Sequence, residues 1–307
     1  MNKPAYTISD QIALLKQRGM TFRNEQQAYE LLKNISYYRL KGYWWDTQLD
    51  AIQHTFQSGT CFEDITERYD FDCKLRQIMF GSIEQIEIAV RSKMIYHLSV
   101  AYGGLWYMNP ALFDSTIHII DGENKTAHCK VLEDLQKEFN RSQEIFIKNH
   151  QQRYPEQPAE AWKILEIASM GALSKLYKNL KITLPERSVI SNEMGINSPH
   201  IFSGWLESIV YIRNIIAHHS RLWSRTMVKR PGMNLNNPAG KWFNNPLRQG
   251  QIDKPFSTIS CTVYLCNFLT GTQDIKQKIL ELIQNYPDVP IYKLGFFNHW
   301  QSEPLWK

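Results

Sequence analysis

Between about Ile65 and Leu98, the residues Leu75, Met79, Ile83, Ile86, Val90, Met94 and His97 recur every three or four positions. That period returns the side chains to one face of an α-helix. Similar spacing runs along most of the chain, and no convincing stretch alternates apolar and polar residues as a half-buried strand would. The expected class is mainly α.

Local signals divide the rest. A first helix is expected from about Ser9 to Arg18, capped by Ser9 or Thr7 and stopped at Gly19. A second starts near Asn24, carries Tyr29, Leu32 and Ile35 on one stripe, and leads into ISYYRLKGYWW, which Gly42 is expected to turn. Gly, Pro and Asn make Tyr102 to Asp121 a loop-rich connection. Helices are then expected over about Ala127–Asn149 and Ala159–Lys181, with YPEQPAE between them, and a short one near Leu184–Glu193. Ser198 and Pro199 form a start signal, because serine accepts from free amides and proline at the first helical position lacks an N–H that is not missed. Pro231 to Pro255 holds four prolines and three glycines and reads as an ordered or flexible insertion. A helix over roughly Ser257–Asn285 and the tail GFFNHWQSEPLW complete the chain, and no internal repeat is visible. This organisation divides into an N-terminal helical extension (1–60), a helical core (61–230) and an insertion with a C-terminal helix and tail (231–307).

Composition removes several function classes. With 43% hydrophobic and 21% charged residues, the 307-residue chain reads as globular. Its net charge of +5 permits an anionic partner without identifying nucleic acid. No run of eighteen apolar residues occurs and the N-terminus lacks a continuous apolar signal core, so a cytoplasmic protein without a membrane partner is expected. Five cysteines without a C-x-x-C pair favour reduced, mostly buried thiols over disulfides or a Cys-based zinc site. H-E-x-x-H, phosphate-loop, dinucleotide and G-x-S-x-G patterns are all missing, which argues against a metal or a cofactor.

The stretch YIRNIIAHHSRLWSR, residues 211 to 225, carries the chemistry. On a helix starting at Pro199, Phe202, Leu206, Ile209 and Ile216 share a stripe with Arg213 in its middle. A guanidinium there needs acceptors. They are either an intramolecular carboxylate, with Glu87 one source, or an RNA phosphate. His218 lies five residues on, about 140° around a straight helix. Arg213 and His218 converge only if the helix ends or kinks near Ala217, or if a second subunit completes the site. Imidazole exchanges protons near neutrality and arginine grips phosphate with paired hydrogen bonds. Together they suit RNA cleavage without metal, with histidine activating the ribose 2′-hydroxyl and arginine stabilising charge on the attacked phosphate.

Arg213-Asn214-Ile215-Ile216-Ala217-His218 resembles the R-polar-x-x-x-H signature of HEPN ribonucleases, an all-α superfamily with many toxin and phage-defence members. With SYYRLKGYWW (36–45), IEQIEIAVRSKM (83–94) and GFFNHWQSEPLW (295–306), the chain is similar to the bacterial abortive-infection family related to AbiD and AbiF. The resemblance implies a HEPN-like helical bundle with family-specific N- and C-terminal helical additions, active as a homodimer. It implies a metal-independent endoribonuclease with Arg213 and His218 catalytic and Asn214 and His219 in support. A restraining RNA or an antitoxin-like protein partner is also expected. Glu87 and Arg91, four apart in the favourable order, form a supporting pair expected on a solvated helix surface. Arg39 and Lys41, set among aromatic residues, and Arg221 and Arg225 beyond the motif are candidate RNA contacts. Two other readings remain open at this point: a non-catalytic protein that holds a structured RNA, and a protein–protein module in which Arg213 and His218 only pack.

Overall fold

The computed structural model describes residues 5–50, 52–233, 236–237 and 240–307. The first four residues of the N-terminal stretch, and positions 234, 235, 238 and 239 of the expected insertion, lie outside them.

Caps set the first helices where the sequence places them. Thr7 and Asp10 form a reciprocal capping box at α1 (Ile8–Gln17), and the Asn24 side chain caps α2 (Glu25–Asn34). Ser36 caps α3 (Tyr37–Trp44), which runs straight through Gly42 where a turn was expected. The glycine is needed for a different reason: a Cβ there would stand 2.8 Å from Arg221 Cδ. The long periodic run forms α4 (Phe62–Tyr102), 41 residues ended by Gly103 at φ 81°.

A small antiparallel pair, β1 (Ile117–Ile120) with β2 (Glu123–Thr126), interrupts the loop-rich connection. Three expected helices are each divided. The first becomes α5 (Ala127–Arg141) and α6 (Ile145–Arg153), parted at Ser142, whose backbone is extended. The next becomes α7 (Ala161–Ile164) and α8 (Met170–Asn179), where Ser169 caps a fresh start. Then follow α9 (Pro185–Glu193) and α10 (Pro199–Ala217), the latter capped by Ser198 with proline at its first position. The described part of the Pro231–Pro255 segment contains a two-residue antiparallel pair, β3 (Asn236–Asn237) with β4 (Gly240–Lys241), and α11 (Gln249–Ile252). The C-terminal helix divides at left-handed Gly271 into α12 (Pro255–Thr270) and α13 (Asp274–Asn285). A short break leaves the apolar period on both sides intact, so periodicity does not reveal it.

The protein is mainly α, and α12 is its axis. Every residue from Pro255 to Cys266 is buried, and the helix packs on both α4 and α10. The tail folds back on the start of α12: Phe256 lies 4.7 Å from Phe296 and stacks on Trp306 at 5.9 Å between ring centres. One apolar cluster thus joins residues from Ile12 to Trp306. All five cysteines are free; Cys61, Cys261 and Cys266 are buried, Cys73 partly so, and Cys129 is exposed. Among the described residues no helix is long and apolar enough to cross a membrane.

Candidate functional site

Helix α10 buries a wider face than its sequence stripe suggests. Trp205, Ser208, Ile212 and Ile215 are buried along with Phe202, Ser203, Leu206, Ile209 and Ile216, and in the turns that flank Arg213 the buried residues from Ser208 to Ile216 span an arc of roughly 120° centred on Ile212. Arg213 therefore sits beyond the edge of that arc and is half-buried, while Asn214 is exposed. Among the described residues no side-chain atom of Arg213 or Asn214 has a hydrogen-bonding or ionic partner. Glu87 is engaged with Arg91 and does not meet Arg213.

The helix ends at Ala217, one residue short of His218. His219 takes a left-handed φ of 54°. Its N–H bonds to the Ile216 carbonyl at 2.8 Å, and the Ser220 N–H reaches back to Ile215 at 2.9 Å. This is a Schellman closure, with histidine where glycine is usual. His218 itself keeps the helical register, its N–H bonded to the Asn214 carbonyl at 3.1 Å, and its ring is exposed, without a partner among the described residues. A side chain in the left-handed region costs about 1 kcal/mol relative to glycine. His219→Gly is accordingly expected to raise the unfolding midpoint slightly and His219→Val to lower it, both read by thermal melting.

The turn after His218 is anchored by residues that the sequence reading missed. Asp72 on α4 is completely buried. It accepts from the Leu222 N–H at 3.1 Å, the Trp223 N–H at 2.9 Å, the Tyr43 hydroxyl at 2.7 Å and Arg76 Nε at 3.2 Å. Burial pushes the Asp72 carboxyl upward. Three of the four partners can only donate, however, and one of these is a charged guanidinium, so the arrangement suits the ionised form. Burial and the neighbouring carboxylate raise the Tyr43 phenol far above its ordinary value, which keeps it a donor. The one local signal was the Asp72–Arg76 spacing of four, the same as that of Glu87 and Arg91.

Arg39 supplies a second tie, donating from Nη1 to the His219 carbonyl at 2.7 Å. Beside it opens a cleft of about 650 Å³ between α3, α4 and the end of α10, lined by Arg39, Tyr69, Arg76, Gln77, Phe80 and His219. Phe80 is 44% exposed there, a face on which a base can stack.

The other sequence candidates separate. Because SYYRLKGYWW is helical, Arg39 and Lys41 point about 160° apart. Arg39 meets the motif turn, whereas Lys41 lies over the rings of Tyr38 and Trp45 at 5.7 and 5.2 Å. Tyr38 and Trp45 are exposed, but Tyr43 and Trp44 are core. Arg221 packs against Gly42 and donates to the Trp223 carbonyl, and Arg225 Nε donates to the Arg221 carbonyl at 2.9 Å. These arginines brace the turn after the motif. Glu87 and Arg91 pair at 2.8 Å, yet their side chains are only 18% and 13% exposed, not solvated as expected. Arg91 also donates to the Ala168 carbonyl at 2.9 Å, so the pair fastens α4 to the connection before α8.

No curated protein and no solved structure matches this chain. The family model for Abi-like proteins matches residues 30–224, well over half of the sequence. That span takes in α3, the Asp72 anchor, the Glu87–Arg91 pair and the motif with its closing turn; the terminal block 295–306 lies outside it. The chain belongs to the Abi-like protein family.

Proposed function

We propose that this Abi-like protein is a HEPN-type endoribonuclease of abortive phage defence. It cuts RNA in the cytoplasm without a metal, as a homodimer in which two copies of the Arg213–His218 motif meet. One observation carries the reading. Arg213, Asn214 and His218 have no side-chain partner among the described residues, at the end of a helix whose other face is packed. Arg213 is half-buried and Asn214 and His218 are exposed, so all three face solvent with their donors and acceptors uncommitted. Here they are available to something outside the chain.

In the proposed reaction, neutral His218 accepts the proton of a ribose 2′-hydroxyl, and the resulting oxygen attacks the adjacent phosphorus. Arg213 holds a non-bridging phosphate oxygen as charge grows on it. The P–O5′ bond breaks, the leaving oxygen takes a proton from water and the His218 imidazolium returns its proton to solvent, giving a 2′,3′-cyclic phosphate and a 5′-hydroxyl. DNA has no 2′-hydroxyl and cannot follow this route. The cleft beside His219 offers Phe80 and Tyr69 to a base of the same strand. An RNA or protein partner restrains the enzyme in the resting cell, since unregulated cleavage would be lethal.

A second reading has its own support: Lys41 between the exposed rings of Tyr38 and Trp45 is a surface that binds RNA without cutting it. Incubating the purified protein with RNA in EDTA and mapping the ends separates the two. Cleavage with cyclic-phosphate ends is expected. Complete loss of cleavage in EDTA would refute the metal-independent mechanism, and RNA retained intact would favour the binding protein.

A further inference from the structure

The opposite end of α10 borders a pocket of about 660 Å³, shared with the end of α8, the 180–183 connection and α9. That volume lies within the range of small-molecule sites, about 300–1,000 Å³. Lys178, Lys181, Arg187, His200 and Arg230 all line it.

Arg187 decides its character. The residue is only 6% exposed, and among the described residues no carboxylate pairs with it. Nη1 donates to the Leu180 carbonyl at 2.9 Å, the guanidinium carbon lies 5.8 Å from the centre of the Tyr177 ring, and Nε is buried without a partner. Capping the end of α8 at Leu180 accounts for one donor. The remaining charge is costly to bury unless an anion meets it.

Nearby cations differ in availability. Lys178 is held by Glu207 at 3.0 Å and Arg230 by Asp253, whereas Lys181 and His200 are exposed and form no ion pair among the described residues, although Lys181 is near enough to Asp114 to help lower its carboxyl. Ile182, 86% exposed, and Ile201 add apolar surface to the lining. A long polyanion needs a continuous basic groove, but Asp114 and Glu207 interrupt this one. The site is suited to a compact ligand with one anionic end and one flat apolar end.

We propose that this pocket binds a nucleoside phosphate. Arg187 holds the phosphate from inside, Lys181 and His200 approach it from the rim, and the two isoleucines lie against the base. His200 and His218 are eighteen residues apart on or beside one helix, about 27 Å along its axis. The site is therefore separate from the motif, and the proposal does not depend on the nuclease reading.

Calorimetric titration of the full chain with ADP, inorganic phosphate and adenosine tests it. ADP should bind the wild type and Arg213→Ala/His218→Ala equally. It should bind Lys181→Ala/His200→Ala, which alters only exposed side chains, on the order of tenfold or more weakly. Inorganic phosphate should compete with ADP and adenosine should bind more weakly than ADP. ADP affinity unchanged in Lys181→Ala/His200→Ala, or no wild-type affinity tighter than about 1 mM, would overturn the proposal. Phosphate binding as tight as ADP would remove the nucleoside from it. A 5′-phosphorylated RNA oligonucleotide that binds this pocket when ADP does not would assign the pocket to RNA instead.

Discussion

Replacing Arg213 and His218 by alanine is expected to abolish RNA cleavage and leave the fold intact. Loss of a general base alone removes on the order of 10²–10⁴-fold in rate, and in the proposed mechanism loss of Arg213 also removes the group that stabilises charge on the phosphate. Stability should change by no more than about 0.5 kcal/mol, because neither side chain has a hydrogen bond or ion pair to lose among the described residues. Arg213→Lys is the sharper single substitution: it keeps the charge but not the paired donors, so activity should fall while salt-dependent RNA binding persists. The readouts are cleavage rate, melting temperature and oligomeric state. A double variant that unfolds, or that only loses self-association, would place the two residues in packing and contradict the proposed site.

The second large effect is on stability. Asp72→Ala strands two main-chain amides, a tyrosine hydroxyl and a buried arginine at once. Removing one partner of a buried charge pair typically costs about 3–5 kcal/mol, and the orphaned donors add to that. Asp72→Asn should recover only part of it, since its NH₂ group would face donors. Urea unfolding should show a much lower midpoint at nearly constant slope. A loss below about 1 kcal/mol would mean that the turn after the motif is held by something other than Asp72. At temperatures where the Asp72→Asn variant remains folded, cleavage should still decline, because Leu222 and Trp223 fix the segment that follows His218.

Local chemistry made part of this legible in advance. Thr7, Asn24, Ser198 and Pro199 act within one turn of their own position, so a few letters suffice to find them. The apolar period of α4 is similarly explicit. Asp72 is different, since its amide partners lie 150 and 151 residues away. Gly42 was read by its local habit as a turn former, yet its need for no side chain comes from Arg221. Arg213 looked central because four aliphatic or aromatic residues define a narrow stripe. Ser208 and Trp205, whose burial widens the face, became informative only once α12 was in place. Treating SYYRLKGYWW as one strip joined Arg39 and Lys41, which helical geometry sets apart.

Helix α12 has a consequence for the order of synthesis. The chain leaves the ribosome from its N-terminus, so α10 with its arginine and histidine is made before the buried helix against which it packs. At about 5–20 residues per second, the gap between Ala217 and Thr270 is roughly 3–10 s. During that interval the nascent chain carries the whole motif but lacks the surface that orients it. The proposed catalytic residues are therefore made before the helix that completes their framework, and synthesis itself delays the assembly of the site.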